Sequence, residues 1–348
     1  MPAILSEAEL LARAEALRIP HLPAAAAPDW KDWYHFVLLD VRSGWRAIAN
    51  VNLGGGGDDA ELQFTLVVHA PGEPARLHGC SRAIAWRPGM VQLRPLAIRA
   101  DEVALHFDGQ QFSLRIAPQG VALALDLQAR PAAAPLLVTE GSPFGSGFIG
   151  WALVPRLAAS GRLAVGDAEV EIDAGWFCYQ DHNFGRFAWG DDFGWEWIVA
   201  HATAADGVEL TVVVDLRSDR RHRAGGLPYL FVLAGSQLRK VFLGPAVRLQ
   251  WAWSAAAELP PRLPGAMATL LADRPVRRPR GVTLEAADER DRIALEIEVA
   301  DYLEVVAPDN RGPGLTRIGE ASGPATIRLQ LGDQRREGRG LAYAEYTR

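Results

Sequence analysis

From Trp33 onward the chain alternates apolar and polar residues with a period of two, in one short segment after another, each bounded by turn residues. Leu62, Phe64, Leu66 and Val68 share one face of such a segment. So do Leu249, Trp251 and Trp253, then Ile293, Leu295, Ile297 and Val299, then Ile327, Leu329 and Leu331. Asp108-Gly109 separates VALHF from QQFSLRI, and Gly166-Asp167 and Asp206-Gly207 hold similar places in GRLAVGDAEVEI and HATAADGVELTVVV. Such dipeptides suit tight hairpins, so the pattern predicts meandering antiparallel sheet. The N-terminus departs from it. Ser6 with Glu9 makes a capping box, and the Leu10, Leu11, Ala14, Leu17 stripe stops at Pro20, which predicts a helix over 6–19 and then a linker, HLPAAAAPDW.

At 348 residues the chain exceeds the length at which one core usually stops growing. Many short strands joined by short turns argue for barrels or sandwiches. The predicted fold class is therefore all-β, with the N-terminal helix and linker over 1–25 and two consecutive antiparallel barrels over 26–186 and 187–348. The stretch PPRLPGAMATLLADRPVRRPRG interrupts the alternation and reads as a long loop with a helical turn, a lid over a cavity. The run Gly54 to Gly57, followed by Asp58 and Asp59, lacks the Lys and Ser or Thr of a phosphate loop and reads as a hairpin tip.

Composition narrows the function classes. Hydrophobic residues at 49% and charged residues at 22% suit a chain with a large core. A net charge of −6 with scattered basic residues offers no footprint for nucleic acid. The short basic run Arg274, Arg277, Arg278, Arg280 is broken by Pro275 and Pro279 and reads as a solvated loop. The N-terminus carries Glu7, Glu9 and Glu15 without a long apolar stretch, and no window reaches membrane-spanning length, so a soluble, cytoplasmic protein is expected. Cys80 and Cys178, far apart, predict two buried free thiols. No cofactor fingerprint or nucleophile elbow is present.

Chemistry concentrates in GWFCYQDHNFGRFAWGDDFGWEW, residues 175–197, which holds four of the eleven tryptophans together with Tyr179, Asp181, His182, Asp191, Asp192 and Glu196. On a strand, Tyr179 and Asp181 point to one face and Cys178, Gln180 and His182 to the other. A carboxyl walled by Trp and Phe is desolvated, which favours its neutral form and suits a proton donor, with the phenol to orient it. Asn183-Phe184-Gly185 is expected to break the strand and redirect His182. Phe193, Trp195 and Trp197 then share a face, with Glu196 opposite, and their rings suit a cation or a greasy ligand. The plain alternative is structural: Asp and Asn bonding nearby backbone, and tryptophans filling a core. Asp181, His182, Asp191 and Asp192 match no defined metal-ligand spacing, so no metal is expected.

The series GWALVPRLAASGRLAVGDAEVEIDAGWFCYQDHNFGR resembles the carotenoid 1,2-hydratase (hydroxyneurosporene synthase) and AttH-like group: a Trp and a Pro, a short G-x-L hairpin, then a Y-x-D-H-N-W-G element. WYHFVLLD and GRGLAYAEYTR are similar too, and the likeness extends over much of the chain, with the central element as its specific part. The resemblance implies two consecutive lipocalin-like barrels and chemistry on hydrophobic isoprenoid or polyene substrates. Hydratases of this group protonate a terminal isoprenoid double bond, and water captures the tertiary carbocation. Tocopherol cyclases and several pericyclic cyclases are similar in fold and differ in reaction. By position the resemblance assigns the essential Tyr and Asp to Tyr179 and Asp181, with Asp181 the proton donor, and matches Trp151 to the Trp of an upstream His-x-Trp pair. Two departures stand out: Ile149 replaces that His and Phe184 replaces the Trp of the central element. A water-activating base must then come from elsewhere, with His182 and Glu196 as candidates, or an internal alkene takes the place of water.

The resulting expectation is a hydratase-like hydro-lyase, or a cyclase or isomerase, acting on a C=C bond of a terpenoid or polyene. Asp181, Tyr179 and His182 are its candidate catalytic residues. Trp151, Asn183, Arg186, Trp189, Asp192, Trp195, Glu196 and Trp197 are its candidate substrate-binding residues. The expected partner is a hydrophobic small molecule, not nucleic acid, and a peripheral membrane contact is compatible with such a substrate. No cofactor is called for. Two further readings stay open: a non-catalytic carrier of a hydrophobic ligand, and a segment 179–197 that only locks the two halves together.

Overall fold

The alternating segments fold as strands. In a computed structural model, which describes residues 5–18, 29–55, 60–72, 76–87, 89–223, 225–226, 228–263, 271, 273–310 and 313–347, the chain divides into two compact units. One comprises Met1–Ala70 and Arg76–Ala188, the other Pro71–Ala75 and Trp189–Arg348. Unit 1 holds the helix α1 (Glu7–Ala14) and strands β1 (Trp30–Leu39), β2 (Arg46–Gly54), β3 (Glu61–Ala70), β4 (Arg76–Ala85), β5 (Val91–Leu93), β6 (Leu96–Ala100), β7 (Val103–Phe107), β8 (Phe112–Ile116), β9 (Leu123–Pro131), β10 (Leu136–Phe144), β11 (Gly147–Val165), β12 (Ala168–Ile172) and β13 (Phe177–Arg186). Unit 2 holds β14 (Gly194–Ala204), β15 (Glu209–Ser218), β16 (Tyr229–Ala234), β17 (Gln237–Leu243), β18 (Val247–Glu258), β19 (Val276–Ala287), β20 (Arg292–Glu298), β21 (Asp301–Pro308), β22 (Leu315–Leu331) and β23 (Gln334–Thr347).

The first sheet runs β4-β3-β2-β1-β13-β11-β9-β8-β7-β6-β5, with β10 and β12 also on β11; the second runs β17-β16-β15-β14-β23-β22-β20-β19-β18, with β21 also on β22. Each wraps around its own apolar core, the expected lipocalin-like barrel. Leu62, Phe64, Leu66 and Val68 all enter the first core, and Ile293, Leu295, Ile297 and Val299 the second. The hairpins fall where the turn dipeptides stand, at 108–111, 166–167 and 205–208. Cys80 and Cys178 are buried and free. Among the described residues, no helix is long and apolar enough to cross a membrane.

The two units repeat one another. β1, β13 and β11 are successive neighbours in the first sheet, and β14, β23 and β22 hold the same places in the second. The long strands β11 and β22 end in matching sequences, RLAVGD at 162–167 and RLQLGD at 328–333, and each turns at a glycine of positive φ, Gly166 (59°) and Gly332 (55°). An L side chain rarely adopts that conformation.

Three expectations are corrected. The helix ends at Ala14 rather than 19, because its last carbonyls leave the helical pattern: Ala14 O bonds His182, and Glu15 O accepts from the Tyr34 hydroxyl at 2.7 Å. Asn183-Phe184-Gly185 does not break the strand. β13 pairs with β1 and β11 along this stretch, and Gly185 is needed for close approach rather than for a turn, since a Cβ there would lie 2.2 Å from the Phe148 carbonyl oxygen. The basic run is not a solvated loop. Residues 276–280 open β19, where Arg278 N–H donates to Ser254 Oγ, Arg278 and Arg280 pair with Glu258, and Pro279 sits at a bulge that tolerates its missing N–H. The linker at 21–28, the glycine-rich tip at 56–59, and residues 264–270 and 272 of the expected lid lie outside the described residues.

Candidate functional site

Because successive strand residues face opposite ways, β1 and β13 each present two different surfaces. Tyr34, Phe36, Leu38 and Cys178 enter the core of unit 1. Trp33, His35 and Val37 from β1, and Tyr179, Asp181 and Asn183 from β13, take the other face. Sheet pairing sets these residues in rows: Trp151, Asn183 and Trp33 across β11, β13 and β1, and beside them Leu153, Asp181, His35 and Asn50, reaching β2.

Asp181 is the centre of this face. It is 3% exposed, and Tyr179, which donates to it, is fully buried. Tyr179 Oη donates to Asp181 Oδ2 at 2.8 Å and Trp151 Nε1 to the same oxygen at 3.3 Å, while Asn183 Nδ2 donates to Oδ1 at 2.7 Å. Three donors from two strands fix the plane of the carboxyl. The carboxyl is thus both withdrawn from solvent and hydrogen-bonded at each oxygen. Tyr179, Asp181, Asn183 and Trp151 are thus brought together.

His35 was not singled out by sequence reasoning, yet it stands directly across from Asp181 in the β1–β13 pairing. Such cross-strand neighbours have Cβ atoms about 5 Å apart. Burial lowers its pKa to about 4, against a smaller opposing effect of its hydrogen bond with Asn50, so the imidazole is neutral at neutral pH. The alternation in WYHFV carried the signal, since it sets Trp33, His35 and Val37 on one face.

His182 faces the other way, into the core of unit 1. Its ring stacks on Tyr34 at 4.3 Å, Nδ1 bonds Ala14 O at 2.5 Å, and Nε2 bonds the fully buried Asp32. Both ring nitrogens meet acceptors, so the ring is an imidazolium. Burial opposes this charge, but Asp32, Glu15 and the Ala14 carbonyl outweigh it and raise the pKa. Asp32 also accepts Arg18 N–H at 2.5 Å, and Gln180 donates to Glu15 at 3.1 Å, so the end of α1 is bolted to β1 and β13.

Glu15 in this network is pushed up to about 7, chiefly by burial, with the His182 charge opposing. A folded pKa above the unfolded value means the native state holds an extra proton across that window, so stability falls as pH rises from about 4.5 to 7. His182 acts in the same direction, its contribution being lost as pH rises through its raised pKa. His35, with its lowered pKa, acts in the opposite direction, so the Glu15 contribution is read as a difference between proteins: from pH 5 to pH 8 the wild type should lose roughly 2 to 3 kcal/mol more stability than Glu15→Gln in thermal melts. Parallel profiles for the two proteins would contradict this assignment.

The other candidates belong to unit 2 or to its border. Arg186 ends β13 exposed. Asp192 is exposed and accepts Arg220 N–H at 3.1 Å; Trp189 N–H donates to Asn310 at 2.6 Å, and its ring lies 6.0 Å from that of Trp195. Trp195 and Trp197 share the face of β14 away from the core, and Trp195 Nε1 donates to Glu345 at 2.6 Å. Glu196 points to the core side, 3.5 Å from His222, with its pKa raised by burial against the His222 charge. Among the described residues, no three His, Cys, Asp or Glu side chains are grouped to hold a metal.

No protein-family model matches the chain, and no curated protein does. Solved structures do. The chain is similar to kievitone hydratase from Nectria haematococca, with a TM-score of 0.61 and 14% identity over 94% of each chain. It is similar to an AttH-type protein from Nitrosomonas europaea, with a TM-score of 0.62 and 15% identity over 92% of each. It is also similar to CghA crystallised with Sch210972, with a TM-score of 0.55 and 13% identity over 91% of this chain and 88% of that one. At such identities the likeness is one of fold, and it extends through both units.

Proposed function

We propose that this fold carries an enzyme that protonates a C=C bond of a hydrophobic terpenoid or polyene substrate and completes either hydration or cyclisation. The observation behind this reading is the buried Asp181 carboxyl held by three donors, with a neutral histidine across the strand pair. The neutral carboxyl carries the transferable proton. It passes to one alkene carbon, forming a C–H bond and leaving a carbocation on the other, while Tyr179, Trp151 and Asn183 stabilise the carboxylate left behind. Trp33 and Trp151 flank the Asp181 row and offer ring faces to the cation. In hydration, water oxygen bonds the cation and releases a proton to His35, which returns it to Asp181. In cyclisation, an internal double bond takes the place of water, and the proton lost from carbon returns by the same route. His35 thus supplies the base that Ile149 cannot. A hydratase among the proteins of the same fold supports the reading.

Turnover in D2O tests it. A hydrophobic alkene extracted from a terpenoid-producing host, incubated with the protein, should yield a product with one non-exchangeable deuterium on carbon. A product without deuterium would exclude protonation as the initiating step. His35→Gln should lower turnover about 10²-fold and remove the acid limb of the pH–rate profile. An unchanged rate and profile would take His35 out of the reaction while leaving Asp181 in it.

A further inference from the structure

The internal repeat places a second acid constellation in unit 2. β23 stands where β13 stands, and its YAEYT aligns with YQDHN: Tyr343 corresponds to Tyr179, Glu345 to Asp181 and Thr347 to Asn183. The pairing register agrees, since Tyr179 lies opposite Val37 and Tyr343 opposite Val199. As in unit 1, these residues occupy the face away from the core, which receives Ala342, Ala344 and Tyr346. The next strand differs from its counterpart at two positions of this face: Leu153, the neighbour of Asp181, is replaced by Glu320, the neighbour of Glu345, and Trp151, opposite Asn183, by Ile318, opposite Thr347.

Two carboxyls therefore stand side by side across the β22–β23 pair, close enough to share a proton. Such a pair must hold a proton between them. Glu345 also accepts from Trp195 Nε1 at 2.6 Å, which marks it as the ionised partner and Glu320 as the protonated one. Burial and the neighbouring carboxylate raise Glu320 well above the usual carboxylate range. The in-sheet neighbours of the pair on this face are Trp195 and Trp197 from β14, Tyr343 and Thr347 from β23, Ser322 from β22 and Leu303 from β21, and none of these neighbours brings a positive charge.

A second observation points to a ligand. Glu320 Oε2 and Ser322 Oγ lie on the same face two residues apart, 3% and 0% exposed by residue, and both atoms are buried without a hydrogen-bond partner. Each such group costs about 1 to 3 kcal/mol when left unmade. Together they offer one acceptor and one hydroxyl that can donate. A ligand hydroxyl satisfies both, donating to Glu320 Oε2 and accepting from Ser322. An anionic ligand is refused by the charge on Glu345.

We propose that unit 2 carries its own small-molecule site, on the strands equivalent to those of the Asp181 site, which recognises the hydroxyl of a hydrophobic alcohol through Glu320 and Ser322. The site does not depend on the chemistry at Asp181. The test uses geraniol as probe, with the hydrocarbon myrcene and geranic acid as controls, on the full chain. In the infrared spectrum at neutral pH the wild type should show a protonated buried-carboxyl component that is lost in Glu320→Gln but kept in Asp181→Asn and Glu15→Gln, and geraniol should shift that component while myrcene should not. By calorimetry, Ser322→Ala should weaken geraniol about tenfold, the loss of one buried hydrogen bond, Asp181→Asn should leave that binding in place, and geranic acid should bind more weakly than geraniol. Absence of the protonated-carboxyl band, a band that ignores geraniol, or equal affinity in Ser322→Ala would overturn the proposal. Ser322→Ala is a small truncation that keeps both carboxyls, so the calorimetric arm stands even where Glu320→Gln fails to fold.

Discussion

Replacing Asp181 with Asn is expected to lower product formation by about 10² to 10⁴, the range in which a positioned general acid contributes, while binding of the hydrophobic substrate changes by no more than a few-fold. The asymmetry follows from geometry. Asn keeps an acceptor oxygen for Tyr179 and Trp151, so the shape and apolar surface of the site persist, but it carries no proton that an alkene can take. The measurement is single-turnover product analysis by mass spectrometry beside equilibrium binding of the same alkene. Tyr179→Phe should cost less than Asp181→Asn, because it removes one of three donors and leaves the acid. A variant that binds and turns over like the wild type would mark the protein as a carrier. A large fall in melting temperature without any ligand in the wild type would instead favour the purely structural role of the segment.

The second large effect concerns stability. Asp32→Ala leaves the His182 imidazolium buried without its counter-charge and the Arg18 N–H without its acceptor. Breaking a buried pair from one side costs about 3 to 5 kcal/mol. In a unit of this size each kcal/mol moves the melting temperature by roughly 2 to 4 °C, so a fall on the order of 10 °C is expected at neutral pH by calorimetry. Asp32→Asn should cost less, since an acceptor remains. The loss should appear first as release of α1, because the network ties Ala14, Glu15 and Arg18 to β1 and β13, and hydrogen exchange at the helix amides would show it. A melting temperature within a degree or two of wild type would mean that the helix is held by Leu11 and Leu17 in the core alone.

His182 illustrates where sequence reasoning stops. Its neighbour Asp181 made it a natural partner in catalysis, and a bend at Asn183 would have brought the two together. The strand does not bend, so adjacent residues keep opposite faces, and His182 looks inward to α1. His35, 146 positions before Asp181, carried no such hint, yet pairing of β1 with β13 sets it beside the carboxyl. The same limit applies to Glu320, whose partner Glu345 became visible only when β22 and β23 were in register. Trp189, Trp195 and Trp197 follow Asp181 closely in sequence and lie beyond the boundary after Ala188, in the second unit, where Trp195 donates to Glu345.

By itself the sequence determined the all-β class, the capping box at Ser6, the hairpin turns, the buried thiols and the shared face of Tyr179 and Asp181, because each depends on local periodicity or on a turn residue a few positions away. Only the tertiary structure decided which histidine accompanies Asp181, that Trp151 donates to it, and that unit 2 repeats the arrangement with two carboxyls. Those relations are cross-strand contacts, and strand pairing is fixed by burial summed over whole sheets rather than by any short stretch of chain.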